Sequence, residues 1–215
     1  MYNIIDIILW KANVMRRPNY TDKIRTRIEA AEGGSVFVSV DFIDITEKTT
    51  VNIILIRLAE EGLLKKIMFG VYYKPGVYEK SNSPITPSPD DIAHALARNY
   101  GWTIIPCGET ALDILQISQQ WSGEWVYVTD GPYKVYTYDD SVIKFRHRAN
   151  KEISKVSYTT AVFIQAIKAL GKENVTDQII EHLKTYVNEN QKVQMLEEAK
   201  PVTAWVYEII KKICK

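Results

Sequence analysis

The stretch TVNIILIRLAEEGLLKKIMFGVYYKP, residues 50–75, decides the fold. Val51, Ile54, Leu55 and Leu58 recur three and four residues apart, the spacing of one helical face. The pattern predicts a helix over 47–61, preceded by Thr46 and stopped by Gly62. Beyond it the period changes. Residues 63–67 and 71–74 are short apolar runs on either side of Phe69-Gly70, which predicts a hairpin. Upstream, Ser39 caps a single turn through Ile43, residues 35–38 form a short strand, and 20–32 carry Ile24, Ile28 and Ala31 at helical spacing before Gly33-Gly34. Helix, strand, turn, helix, hairpin is the order of a winged helix-turn-helix, here over 18–75.

Such a module suits duplex DNA. The longer helix fits a major groove about 12 Å wide while the hairpin follows the neighbouring phosphates. Opposite the apolar stripe, the helix presents Lys48, Thr49, Asn52, Ile53, Ile56 and Arg57. Asn and Arg bond base edges in pairs, and Thr and Ile suit a thymine methyl. Lys65 and Lys66 open the hairpin, and Lys23, Arg25 and Arg27 lie on the first helix with Arg16 and Arg17 before it; all are expected phosphate contacts. The net charge of +1 hides this clustering, because residues 11–80 hold 12 Lys/Arg against 9 Asp/Glu. The two isoleucines also fit a protein contact, since exposed apolar groups mark interfaces.

The rest of the chain divides in three. GVYEKSNSPITPSPDD, residues 76–91, is dense in Gly, Ser, Asn and Pro and predicts a linker over 76–87. Residues 88–149 alternate a helix over 90–100, a strand over 102–106, a short helix over 109–115, and strands over 125–129, 134–138 and 142–146. Asp130-Gly131 and Asp139-Asp140 supply the turns, so an antiparallel sheet is expected. Residues 150–215 read as helices over 156–170, 176–187 and 202–213, with Gly171 ending the first and Pro201 opening the last. That tail offers a surface for a homodimer, which two-fold operators require. The fold class is therefore α+β.

Several classes are excluded. A chain of 215 residues with 46% apolar and 25% charged residues is globular and needs no disulfide staples. Cys107 and Cys214 are too few for a secreted scaffold and have no zinc-site spacing, so neither metal nor cofactor is expected and a reducing, cytoplasmic setting is. The opening MYNIIDIILW is too short to span a bilayer and lacks a signal peptide's charged start. Residues 1–17 read as an extension, either a short docking helix or sequence upstream of a start at Met15. Cys107, His147 and Asp130 contain the residue types of a thiol enzyme, but nothing in their spacing brings them together. Tyr127, Tyr133, Tyr136 and Tyr138 read as sheet packing. No enzyme is expected.

The segments GGSVFVSVDFIDI (33–45) and 50–75 resemble the N-terminal winged helix of AbiEi-like antitoxins of type IV toxin–antitoxin systems. Pro87-Ser88-Pro89, DDIAHALARNYGWTIIPCGETALDILQIS (90–118), YVTDG (127–131) and IKFRH (143–147) resemble their second domain. The resemblance covers about 18–150 and departs from it at Ile53, Ile56 and Phe69, where relatives carry polar or basic residues. It implies a bacterial antitoxin of phage defence by abortive infection. Such a protein represses its own operon through operator DNA and neutralises a nucleotidyltransferase-like toxin without necessarily binding it. The recognition face it implies is Lys48, Thr49, Asn52, Ile53, Ile56 and Arg57, with a wing from Lys65 to Lys74. The competing expectation is a winged helix that docks a protein and reads no DNA sequence.

Overall fold

The computed structural model describes residues 19–118, 123–148 and 156–215. The extension 1–17, Arg16 and Arg17 lie outside them. The chain divides into two compact units, with the boundary in sequence between Pro87 and Ser88. Its class is α+β.

The first unit begins with α1 (Tyr20–Ala30), whose N-terminus Asn19 caps by accepting from the Asp22 N–H at 3.1 Å. Strand β1 (Val36–Val38) leads into a 3-10 turn (Ser39–Phe42), and α2 (Lys48–Glu60) follows. Strands β2 (Lys65–Met68) and β3 (Val71–Tyr73) close the hairpin. The antiparallel sheet has the order β1-β3-β2, so the hairpin's second strand lies between its first and the early strand. Ile24 and Ile28 of α1 meet Val51, Ile54, Leu55 and Leu58 of α2, with Phe37, Phe42, Leu64 and Tyr72 completing the core. Each such aliphatic side chain contributes roughly 1.5–3 kcal/mol on burial. That is why the helical spacing identified this part of the chain.

Helix α1 stops before the two glycines. The Lys74 ammonium donates to the Glu29 and Ala31 carbonyls at 2.6 and 2.7 Å, placing a cation at the helix C-terminus. The predicted linker is also structured: β4 (Gly76–Val77) and β5 (Pro84–Ile85) pair antiparallel within this unit. Gly76 is needed there, since a Cβ on it would lie 2.8 Å from the Gly33 Cα. Pro and Gly marked a tight hairpin against neighbouring backbone here.

The second unit joins the two sections that the sequence separates. Helix α3 (Pro89–Tyr100) has a capping box in which Ser88 and Asp91 each bond the other's backbone N–H, and Pro89 occupies its first turn. It leads through β6 (Ile104–Pro106) and α4 (Glu109–Ile114) to β7 (Glu124–Thr129), β8 (Lys134–Tyr138) and β9 (Ser141–His147). The sheet order is β6-β7-β9-β8. Its outer pairs are antiparallel as expected, but the central β7–β9 pair is parallel. Turn chemistry reported only that each strand reverses. It was silent on β9 inserting between β7 and β8, which makes the sheet mixed.

Helix α5 (Tyr158–Leu170) packs Ala161 against Ile105 and Val128 on one face of that sheet. A 3-10 turn (Lys172–Asn174), α6 (Asp177–Lys184), α7 (Glu189–Glu198) and α8 (Ala204–Ile213) complete the unit. Phe163, Ile167, Leu183, Met195, Val206 and Ile210 share one core with Ala111 and Leu112 of α4. Helix α7 was not anticipated, because Met195 is its one buried residue. Its signature is the capping box of Asn188 and Gln191. Pro201 lies in the turn before α8, which starts after Thr203. Among the described residues no helix is long and apolar enough to cross a membrane.

Candidate nucleic-acid interface

With Val51, Ile54, Leu55 and Leu58 buried on one side of α2, the 3.6-residue period turns Lys48, Thr49, Asn52, Ile53, Ile56 and Arg57 outward, and all six are exposed. At the helix start, the Thr50 hydroxyl donates to the Glu47 carboxylate at 3.2 Å. At its end Gly62 takes a φ of 82°, and the N–H groups of Leu63 and Leu64 turn back onto the Leu58 carbonyl. Neither the Asn52 nor the Arg57 side chain is held by a hydrogen bond or ion pair to another described residue, so both are available to a ligand.

The hairpin flanks this face. Lys65 and Lys66 pair with Tyr73 and Tyr72, and a bulge between Lys66 and Met68 increases the local twist. At the tip Gly70 has a φ of 75° and Phe69 is 91% exposed. The Lys66 ammonium sits 5.9 Å from the Phe69 ring centre. Between α2 and the hairpin runs an open groove of about 380 Å³, lined by Ile56, Ala59, Glu60, Lys66, Phe69 and Tyr72. Phe69 was not among the predicted contacts. Its signal was a large apolar residue beside a turn glycine.

The basic residues of α1 divide. Lys23 is exposed. Arg25 forms an ion pair with Glu61. Arg27 holds both oxygens of Asp44 at 2.8 and 2.6 Å, donates to the Asp41 carbonyl at 2.9 Å, and lies over the Phe42 ring. Those bonds hold the Asp44 carboxyl below its ordinary value and the Arg27 guanidinium above its own. Arg25 and Arg27 are thus engaged within this unit, tying α1 to the residue after α2 and to the 3-10 turn and the loop that follows it. Lys74, at the hairpin's base, is likewise engaged as the cap of α1.

The thiol constellation does not assemble. Cys107 donates its N–H to Val126 at one part of β7, whereas His147 pairs with Thr129, three residues or about 10 Å further on. Burial pushes the Cys107 thiol up, against a smaller opposing effect of Arg146 and Arg148. Asp130 accepts the Thr103 N–H at 2.8 Å, and His147 Nδ1 meets the Gly131 carbonyl at 2.9 Å. Among the described residues no group of three His, Cys, Asp or Glu could hold a metal ion.

A polar cluster in the second unit was missed. The Asp90 carboxylate accepts the Tyr127 hydroxyl at 2.6 Å and the Tyr158 hydroxyl at 2.9 Å, with His94 Nε2 at 3.8 Å. Burial first, and the Asp90 charge second, push both phenols far up, so they remain protonated donors. This arrangement ties α3 to β7 and α5. It is a structural clamp, built from residues that sequence spacing cannot associate.

No curated protein matches the chain. A family model matches residues 23–195, from α1 of the first unit to α7 of the second. The chain thus belongs to DUF6088, a family of unknown function.

Proposed function

We propose that the first unit is a winged helix-turn-helix that binds double-stranded operator DNA. On this reading the chain is an AbiEi-like antitoxin and autorepressor, cytoplasmic and not an enzyme, that neutralises a nucleotidyltransferase-like toxin. The observation that carries it is the exposed stripe of α2, Thr49, Asn52, Ile53, Ile56 and Arg57, beside a hairpin bearing Lys65 and Lys66. Asn52 and Arg57 read base edges, and Lys65, Lys66 and Lys23 contact phosphates. The antitoxin part rests on the resemblance of 33–75 and 87–147 to that group.

The test is fluorescence anisotropy of the full chain on DNA from upstream of its own gene, beside a scrambled duplex, across a salt series. Preferential binding with a steep salt slope supports an autorepressor, because the slope counts neutralised phosphates. Equal weak binding to both duplexes overturns it. The second reading, a protein-docking module, is favoured by the groove between Ile56 and Phe69, whose lining is largely apolar. A pull-down with that groove intact and with Phe69→Asp separates the two.

A further inference from the structure

We infer that α2 recognises its DNA site through thymine C5-methyl groups, with Ile53 as the principal reader and Thr49 and Asn52 beside it. This rests on the DNA-binding reading above and specifies what that surface recognises.

The major-groove edge of a base pair is almost wholly polar. Its one apolar group is the thymine methyl, projecting beside the O4 acceptor. A side chain that cannot hydrogen-bond, placed against any other edge, strips water from donors and acceptors and returns nothing. An aliphatic residue in the middle of a groove-facing stripe therefore carries information about the base beneath it.

Ile53 holds that position. It is 56% exposed, and its helical neighbours four and three residues away, Thr49 and Ile56, share its face, with exposed Asn52 about 100° round the helix. Ile56 differs in kind, because it lines the groove toward Phe69 and Lys66, whereas Ile53 does not. Ile53 also lies nearer the helix N-terminus, the end from which recognition helices reach bases. Asn52, free of described partners, has the amide that pairs in two bonds with adenine N6 and N7. An isoleucine over a methyl beside an asparagine over an adenine matches A·T pairs, and the flanking Lys65 and Lys66 supply the charge complement for the phosphates.

The experiment selects binders for the full chain from a randomised duplex library, then replaces each thymine of the enriched duplex by deoxyuridine, which removes the methyl alone. At least one replacement should weaken binding about fourfold, the worth of one methyl-sized group converted at 1.4 kcal/mol per decade. Ile53→Ala should weaken binding to the thymine duplex by a similar factor and bind the deoxyuridine duplex as the wild type does. Because Ile53 is exposed, the variant should keep the wild-type circular dichroism spectrum. An enriched duplex indifferent to every replacement, or equal losses for Ile53→Ala on both duplexes, overturns methyl recognition and leaves DNA binding standing. Failure to enrich any duplex overturns the DNA reading itself and this inference with it.

Discussion

The Tyr127 hydroxyl and the Asp90 carboxylate, 37 residues apart in sequence, meet at 2.6 Å and join α3 to β7. Tyr158 of α5 donates to the same oxygen at 2.9 Å, so one carboxylate ties together three elements of the second unit. Tyr127→Phe should cost roughly 1.5–3 kcal/mol, the range for a hydrogen bond to a charged acceptor. Combining it with Tyr158→Phe should cost more than the sum, because Asp90 then loses both donors. Both phenols are raised in the fold, so they contribute stability that is full below about pH 10 and lost as the pH rises above it. Urea titrations across alkaline pH check this; an additive double variant means the two bonds act separately.

Arg57 and Lys66 should behave differently on DNA. Arg57→Ala is expected to lose roughly 1–3 kcal/mol on the selected duplex and to flatten sequence preference, whereas Lys66→Ala weakens all duplexes alike and lowers the salt slope by about 1. Anisotropy on selected and scrambled duplexes decides it. Equal losses on both for Arg57→Ala refute base reading.

Arg27→Ala tests whether that residue braces the unit or contacts phosphate. Its bonds to Asp44 and the Asp41 carbonyl lie within the unit, so the variant should melt at a lower temperature and keep the wild-type salt slope. A reduced slope with unchanged melting returns Arg27 to the phosphate contacts.

Glu198 of α7 accepts from the Ser157 N–H at 3.0 Å and the Ser157 hydroxyl at 2.7 Å at the start of α5. Burial pushes its carboxyl up, but bonds from Thr160, Ser157 and Gln194 outweigh it and leave the group below its ordinary value. A carboxyl lowered by folding stabilises the fold above the ordinary glutamate range, and that contribution is lost as the pH falls through the folded value. Glu198→Gln should therefore be less stable than the wild type at neutral pH and should close the gap in acid. Thermal melts at neutral and acid pH measure this, and a pH-independent gap contradicts it.

Gly131 lies against the indole of Trp102, where a Cβ would stand 2.5 Å from ring atoms. Gly131→Ala should cost roughly 1–3 kcal/mol, as overpacking does. It should also change the tryptophan near-ultraviolet dichroism; an unaltered spectrum shows that the ring yields freely.

Local pattern was sufficient where one element's own periodicity decides what is buried. The stripe of Val51, Ile54, Leu55 and Leu58 determined both the core side of α2 and, by difference, its exposed side. Ser88-Pro89, Gly62 and Gly171 marked element ends because caps and positive-φ residues act within a few positions. Helix α7 was hidden because its burial is slight and its evidence lay in a cap.

By itself, then, the sequence determined the α+β class, the order of the elements apart from β4, β5 and α7, and the outward face of α2, all properties of residues near one another in the chain. Tertiary structure decided which cations are paired, since only packing brings Glu61 to Arg25 and Asp44 to Arg27. It also decided that β9 enters between β7 and β8, and that Asp90, Tyr127 and Tyr158 converge. These depend on pairings between residues tens of positions apart, and helical or strand periodicity contains no information at that separation.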